Sequence, residues 1–157
     1  MAYNKAHVEL DGPILDTRFA DRLKLSNLGL SIFELRHGEG FEFFHNHREQ
    51  EEIYFCLEGS ADLLVAKAPD RIADPECVTL RRGDVVRVDA EILRAIGNKS
   101  SERAVVLIAG ACRHTYPAYG HHDVIADVLS VVGHGQTGFA WPQQIPPRDA
   151  NEPGDDC

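Results

Sequence analysis

Apolar and polar residues alternate over short stretches through most of residues 28–109. The stretches are rich in β-branched and aromatic residues and are separated by Gly, Pro, Asp and Asn, a pattern typical of β-strands joined by turns. It predicts an extended aromatic segment over 41–47 and strands over 28–35, 52–57, 61–66, 78–80, 85–88 and 104–109. Many short strands at close spacing indicate an all-β sandwich or barrel.

The two ends of the chain follow a different pattern. Apolar residues four apart predict a short helical turn within residues 16–25. Residues 123–132 carry apolar positions at helical spacing, so we predict a C-terminal helix with Asp123 near its N-cap. The valines of that segment leave a strand as the alternative.

A chain of 157 residues has room for one domain. We therefore divide it into an arm, a core, an extension and a tail. These are an N-terminal arm (1–27), a β-barrel core (28–112), a C-terminal extension that packs on the barrel (113–145) and a flexible acidic tail (146–157).

The formal net charge of −9 disfavours a nucleic-acid partner, because such binders need clustered Lys and Arg. The beginning of the sequence lacks the apolar stretch of a secretory signal, and no apolar run approaches membrane-spanning length. None of the four cysteines forms a C-x-x-C pair. We therefore expect a cytoplasmic protein with reduced thiols and no membrane partner.

The chemically informative segment reads His45-Asn-His47-Arg-Glu-Gln-Glu51-Glu52. Residues two apart in a strand project to one face, so His45 and His47 would present two imidazoles side by side. A carboxylate at the start of the next strand can meet them, and only one of the adjacent Glu51 and Glu52 can face inward. Imidazole with carboxylate suits Fe, Mn, Ni, Co or Zn. An H-x-H pair alone is weak evidence for a metal site, since surface histidines at that spacing are common.

The wider arrangement resembles the first motif of the cupin superfamily: a glycine, two histidines, a glutamate soon after, an apolar strand and then Gly59. The resemblance implies a cupin-type jelly-roll barrel that holds one divalent metal ion on His45, His47 and Glu52. The family spacing favours Glu52 over Glu51. With Glu52 inside, Tyr54 and Cys56 share its face. An apolar stripe then needs cover from another layer or subunit, and this stripe is Ile53, Phe55 and Leu57.

The second motif of that family is altered here. Gly83 and Asp84 open it and Asn98 closes it, but Arg94 occupies the position that matches the family's third histidine ligand. A guanidinium offers only donors and cannot ligate a metal. The ion then has three protein ligands or takes a fourth from elsewhere, for which the candidates are His114, His121 and His122. An inward Arg94 either holds a carboxylate or phosphate of a ligand or forms an ion pair with Glu42 or Glu52. A pair with Glu52 would occupy the carboxylate and threaten the metal site.

We therefore expect a metal-binding cupin that acts on a small organic molecule as an oxygenase, isomerase or lyase, with Fe, Zn, Mn or Ni as the metal. Arg94, Tyr54 and Glu42 are the candidate substrate-binding residues. The main alternative is a metal-free or non-catalytic small-molecule-binding cupin with Arg94 as an anion anchor. A third hypothesis is metal-free acid–base catalysis by His45 or His47. The resemblance and the apolar stripe also indicate a homodimer.

Overall fold

The computed structural model describes residues 3–14, 19–25, 28–41, 43–72, 74–111 and 128–133. In this part of the chain, strands dominate over a single short α-helix and one 3-10 turn (Pro69–Arg71). The elements are α1 (Phe19–Leu23), β1 (Leu28–Leu35), β2 (Phe43–His47), β3 (Glu51–Glu58), β4 (Ser60–Ala66), β5 (Glu76–Arg81), β6 (Val85–Val88), β7 (Leu93–Gly97), β8 (Ala104–Ala111) and β9 (Val128–Gly133).

The strands form two antiparallel sheets. The first has the strand order β1-β8-β3-β6 and the second the order β5-β4-β7-β2-β9. Side chains alternate across each strand, so Glu52, Tyr54 and Cys56 of β3 are buried while Glu51 and Ile53 are exposed. The prediction of an all-β, barrel-type fold is confirmed.

Three apolar clusters hold the sheets in place. The inner cluster fills the space between the sheets and includes Leu63, Ile96 and Val106. A second cluster gathers the alternate side chains of β2, β4 and β7 with Ile72, next to the 3-10 turn. A third joins α1 and the N-terminal arm to β1 and β8. Leu57 packs against this third cluster, so the arm covers part of the predicted apolar stripe.

The rest of that stripe is more open, since Ile53 keeps 42% of its surface exposed. Whether a second subunit covers it stays a prediction.

The turn from β3 into β4 needs Gly59, which adopts a φ of +66°. A Cβ at this position would lie 2.1 Å from the backbone oxygen of Arg103.

Two strands differ from the sequence prediction. β7 was not predicted, because its five residues have Arg94 at the second position and are buried on both faces, which hides the alternation. The prediction of a C-terminal helix is wrong for Val128–Gly133, because these residues instead form β9, which pairs with β2. The edge of β2 provides backbone partners for this valine-rich segment, and β-branched residues fit a pleated surface. The remainder of the predicted helix and the acidic tail lie outside the described residues.

Among the described residues, no helix has the length and apolar character needed to cross a membrane. Cys56 is a free, buried thiol. Cys77 is disulfide-bonded, so the expectation of reduced thiols is wrong at this residue.

Candidate metal centre

The two histidines of the H-x-H segment lie on β2 and point between the sheets. His45 and His47 are 9% and 6% exposed, and their ring centroids are 5.2 Å apart. Backbone contacts with β7 and the residues before it position this part of β2. His45 pairs with Arg94 of β7, and the backbone N–H of His47 donates to the carbonyl of Ala90 at 2.8 Å. The strand alternation predicted from the sequence therefore brings both imidazoles to one face.

Glu52 reaches these imidazoles from the opposite sheet. β3 does not pair with β2: β2 pairs with β7 and β9, whereas β3 pairs with β6 and β8. The bend at residues 48–50 therefore carries the chain from one sheet to the other. Glu52 is buried, and Glu51 lies at the surface with its carboxylate 2.6 Å from Arg87.

The three side chains converge on one point. His47 Nε2 lies 3.3 Å from Glu52 Oε1, and His45 Nε2 lies 3.9 Å from Glu52 Oε2. One ligand atom from each residue lies within 4.8 Å of the others. Ligands about 2.0–2.2 Å from a shared ion are separated by roughly 3–4 Å, and both distances from the histidines to Glu52 lie in that range.

The protonation of His45 also suits a ligand. Burial lowers the pKa of His45 to about 4, an effect that Glu52 opposes and that Arg94 and His47 reinforce. The ring is therefore neutral near neutral pH. Neutral imidazole is the form that binds metals.

Several donors surround the carboxylate of Glu52. Tyr54 donates to Oε2 at 2.7 Å, Gln50 donates to Oε1 at 3.0 Å, and Arg94 Nε lies 3.2 Å from Oε2. Burial alone would raise the pKa of Glu52, but the contact with His47 and the charge of Arg94 outweigh it and lower the pKa to about 2. The carboxylate is therefore fully ionised and firmly oriented.

Gln50 is a site residue that sequence reasoning missed. Its side chain is 4% exposed and lies over Gly110 of β8, where a Cβ would be only 2.2 Å from Gln50 Nε2. A glycine facing the start of β3 leaves room for this amide, which then holds Glu52. The sequence contains both residues, but only the pairing of β3 with β8 shows that they meet.

Arg94 is the most deeply buried charged group of the site, with no exposed surface. Its NH1 donates to the backbone oxygens of Ile92 at 2.8 Å and Ala90 at 3.1 Å, and its Nε faces Glu52. Of the two roles considered for Arg94, the structure therefore shows the ion pair with Glu52. Because NH1 and Nε are engaged, the guanidinium has no free edge for a bidentate clamp on a ligand.

The other predicted residues are placed as follows. Tyr54 is 1% exposed, and burial followed by the charge of Glu52 raises its pKa well above the usual value, so its hydroxyl stays protonated as a donor. Its hydrogen bond goes to Glu52. Glu42 and the possible fourth ligands His114, His121 and His122 lie outside the described residues.

The ion pair and the metal trio share the carboxylate of Glu52. Arg94 and Tyr54 contact Oε2, which also lies 3.9 Å from His45 Nε2, while Oε1 faces His47 and Gln50. Carboxylates that bind metals are commonly hydrogen-bonded in turn, and such partners fix their orientation. Arg94 and Tyr54 therefore orient Glu52 beside the two histidines, and a cation on the trio would share the carboxylate with them.

Searches against protein-family models and against curated proteins find no match to this chain. Solved structures do match. A cupin protein from Bacteroides fragilis is 27% identical, with 78% of this chain and 95% of that chain covered and a TM-score of 0.61.

Two further structures share the fold alone. An oxalate decarboxylase from Lactobacillus farciminis, solved as a formate complex, is 19% identical over 71% of this chain and 32% of that one, with a TM-score of 0.52. An oxalate oxidase in complex with the substrate analogue glycolate is 12% identical over 63% of this chain and 50% of that one, also with a TM-score of 0.52. The two facing sheets and the likeness to the Bacteroides protein together show that this chain belongs to the cupin superfamily.

Proposed function

We propose that this cupin binds one divalent metal ion through His45, His47 and Glu52 and acts with it on a small organic molecule. The observation that carries the proposal is the convergence of the three buried donors within 4.8 Å from two facing sheets. A bound Fe, Zn, Mn or Ni ion would have open positions and would supply Lewis-acid or dioxygen chemistry.

The chain's own residues prepare that site. Burial keeps His45 neutral, and Gln50 and Tyr54 orient the Glu52 carboxylate by hydrogen bonds at 3.0 and 2.7 Å. Arg94 adds a fixed positive charge next to the carboxylate. This environment favours a small, polar substrate. The oxalate decarboxylase and oxalate oxidase that share the fold were solved with formate and glycolate, so small carboxylic acids are the first substrates to test.

One observation favours the alternative of a metal-free binding protein. Arg94, Tyr54 and Gln50 together already contact both oxygens of Glu52, and an internal cation can replace a metal as the partner of a buried carboxylate. In that case Arg94 is the permanent counter-ion of Glu52, and the protein binds its ligand without metal.

Metal content separates the two proposals. We would purify the protein under anaerobic conditions and measure bound metal by mass spectrometry for the wild type, Glu52→Gln and Glu51→Gln. The two variants remove one carboxylate charge at adjacent positions, but Glu51 lies at the surface. We expect about one metal ion per chain in the wild type and in Glu51→Gln. Metal affinity should fall by about 100-fold or more in Glu52→Gln, beyond the effect of losing an outer hydrogen-bond partner.

Equal metal content in the two variants, or a wild type that binds no added Co²⁺, Fe²⁺ or Zn²⁺, would overturn the metal proposal. Oxygen uptake with the iron-loaded protein and a panel of small carboxylic acids then tests the oxygenase class. Isomerase and lyase activities are followed by product analysis with the same acids.

A further inference from the structure

A sulfur and a buried ammonium group meet on the outer face of the second sheet, the face turned away from the inner cluster. Val78 and Leu80 of β5 belong to the inner cluster, so Cys77 between Glu76 and Val78 projects to the outer face. Lys99 lies two residues after the end of β7, is 8% exposed, and donates from Nζ to Cys77 Sγ at 3.9 Å. Cys77 itself is half-buried, so part of its surface is open to solvent.

The sulfur of Cys77 takes part in a disulfide, and the sequence limits its partner. The chain has four cysteines, and Cys56 is free. The partner is therefore Cys112 or Cys157, both of which lie outside the described residues. Disulfides with an exposed portion exchange with thiols more readily than fully enclosed structural ones.

The ammonium of Lys99 favours the breaking of this bond by a thiol. The thiolate of a small dithiol attacks the sulfur of the partner cysteine, the S–S bond breaks, and the electron pair leaves with Cys77 as a thiolate. The positive charge beside Sγ stabilises that thiolate and is only weakly screened, because Lys99 is buried. The second thiol of the dithiol then releases the partner cysteine and closes a disulfide, so two electrons pass to the protein.

The other charges close to Cys77 act on it less directly. Asp62 of β4 is 3% exposed and shares the outer face, where its carboxylate accepts a hydrogen bond from Thr79 at 2.8 Å. Glu76 is exposed and points to the other side of β5. Lys99 Nζ, in contrast, lies at hydrogen-bond distance from the sulfur, so we expect the ammonium to have the largest effect on the thiolate.

We propose that Cys77 and Lys99 form a reversible thiol–disulfide exchange site whose substrates are small dithiols and small disulfides. Lys99 is a positioning residue, which acts by stabilising the Cys77 thiolate. In the reverse direction this thiolate attacks a small disulfide to form a mixed disulfide, and the thiolate of the partner cysteine then restores the protein bond. Two small thiols are released. The proposal does not depend on the metal function.

The first measurement follows reduction of the full chain by dithiothreitol. Free thiols are alkylated after unfolding, and the modified Cys77 is quantified by peptide mass spectrometry. Lys99→Met removes the buried ammonium, whereas Lys67→Met removes an exposed one next to the end of β4 and is the matched control. We expect reduction of Lys99→Met to be about tenfold slower than that of the wild type, because the leaving thiolate is less stable. Lys67→Met should react at the wild-type rate.

The second measurement is the pH profile of alkylation of the fully reduced, folded chain. Iodoacetamide reacts with thiolates, so the rate at Cys77 follows its ionisation. We expect the wild type to reach half of its maximal rate well below about pH 8.5, the value typical of a free cysteine, and Lys99→Met to do so at a higher pH. Cys56 is the internal control. It is fully buried, and burial raises the pKa of its thiol, so it should react slowly throughout.

Each outcome decides a part of the proposal. A Cys77 that stays open to alkylation after equilibration with oxidised glutathione, or that is found paired with Cys56, overturns the exchange site. Equal reduction rates of Lys99→Met and Lys67→Met overturn the role of Lys99. If Lys99→Met does not fold, the pH profile of the wild type still decides, since half-maximal alkylation at or above about pH 8.5 overturns the same role.

Discussion

Replacing Arg94 with methionine removes one charge of a buried ion pair and leaves the other in place. At the Nε–Oε2 distance of 3.2 Å, the attraction between unit charges is about 5 kcal/mol for an effective dielectric constant of roughly 20. The two shorter hydrogen bonds from NH1 to backbone carbonyls, those of Ile92 and Ala90, add about 1 kcal/mol or more each. The substitution also removes the desolvation cost of the buried guanidinium, which is several kcal/mol and partly offsets these losses.

The balance predicts that Arg94→Met lowers the free energy of unfolding by about 4 kcal/mol, within the range of roughly 3–5 kcal/mol seen when one partner of a buried pair is removed. The assay is urea unfolding of chelator-treated protein at neutral pH, followed by circular dichroism. Arg87→Met is the control, because its ion pairs are exposed and their loss should leave the stability nearly unchanged.

A double variant tests the cause of the loss. Arg94→Met combined with Glu52→Gln removes both charges, so we expect it to be more stable than Arg94→Met alone. A loss below about 1 kcal/mol in the single variant, or no recovery in the double variant, would contradict the ion pair with Glu52.

Two further predictions concern pH and packing. The pKa of His45 is lowered to about 4 in the folded chain, so the unfolded state takes up its proton first as the pH falls below about 6.5. The metal-free wild type should therefore lose about 2 kcal/mol of stability between about pH 7 and pH 5, and His45→Gln should show a flatter profile in urea unfolding. Equal slopes would contradict the neutral, buried imidazole. Gly110→Ala places a Cβ 2.2 Å from the amide of Gln50 and should cost about 1–3 kcal/mol. Gly12→Ala, where the nearest atom is 3.8 Å away, serves as its control in thermal unfolding, and equal melting temperatures would refute the contact.

Local features of the fold could be predicted from the sequence because they depend on neighbouring residues. Alternation predicted β3 and the common face of Glu52, Tyr54 and Cys56, and the spacing of His45 and His47 predicted paired imidazoles. Such patterns reflect the geometry of a single strand, which needs no knowledge of the rest of the chain.

Features that depend on distant pairing were not predictable. The spacing of valines in β9 fits a helix as well as a strand, and only the free edge of β2 decides between them. β7 is covered on both faces, so its sequence shows no alternation. The contact of Gln50 with Gly110 arises between residues sixty positions apart, and the ion pair of Arg94 with Glu52 joins two sheets.

The placement of His45 and His47 in one sheet and Glu52 in the other has a consequence for ion selectivity. A cation held by all three would bridge the two layers, so the gap between the layers fixes the ionic radius that the trio accommodates. That gap is maintained by the inner cluster, in which Cys56 and Leu63 are fully enclosed. Bulkier or smaller side chains at these positions would change which metal is preferred, without altering any residue that touches it.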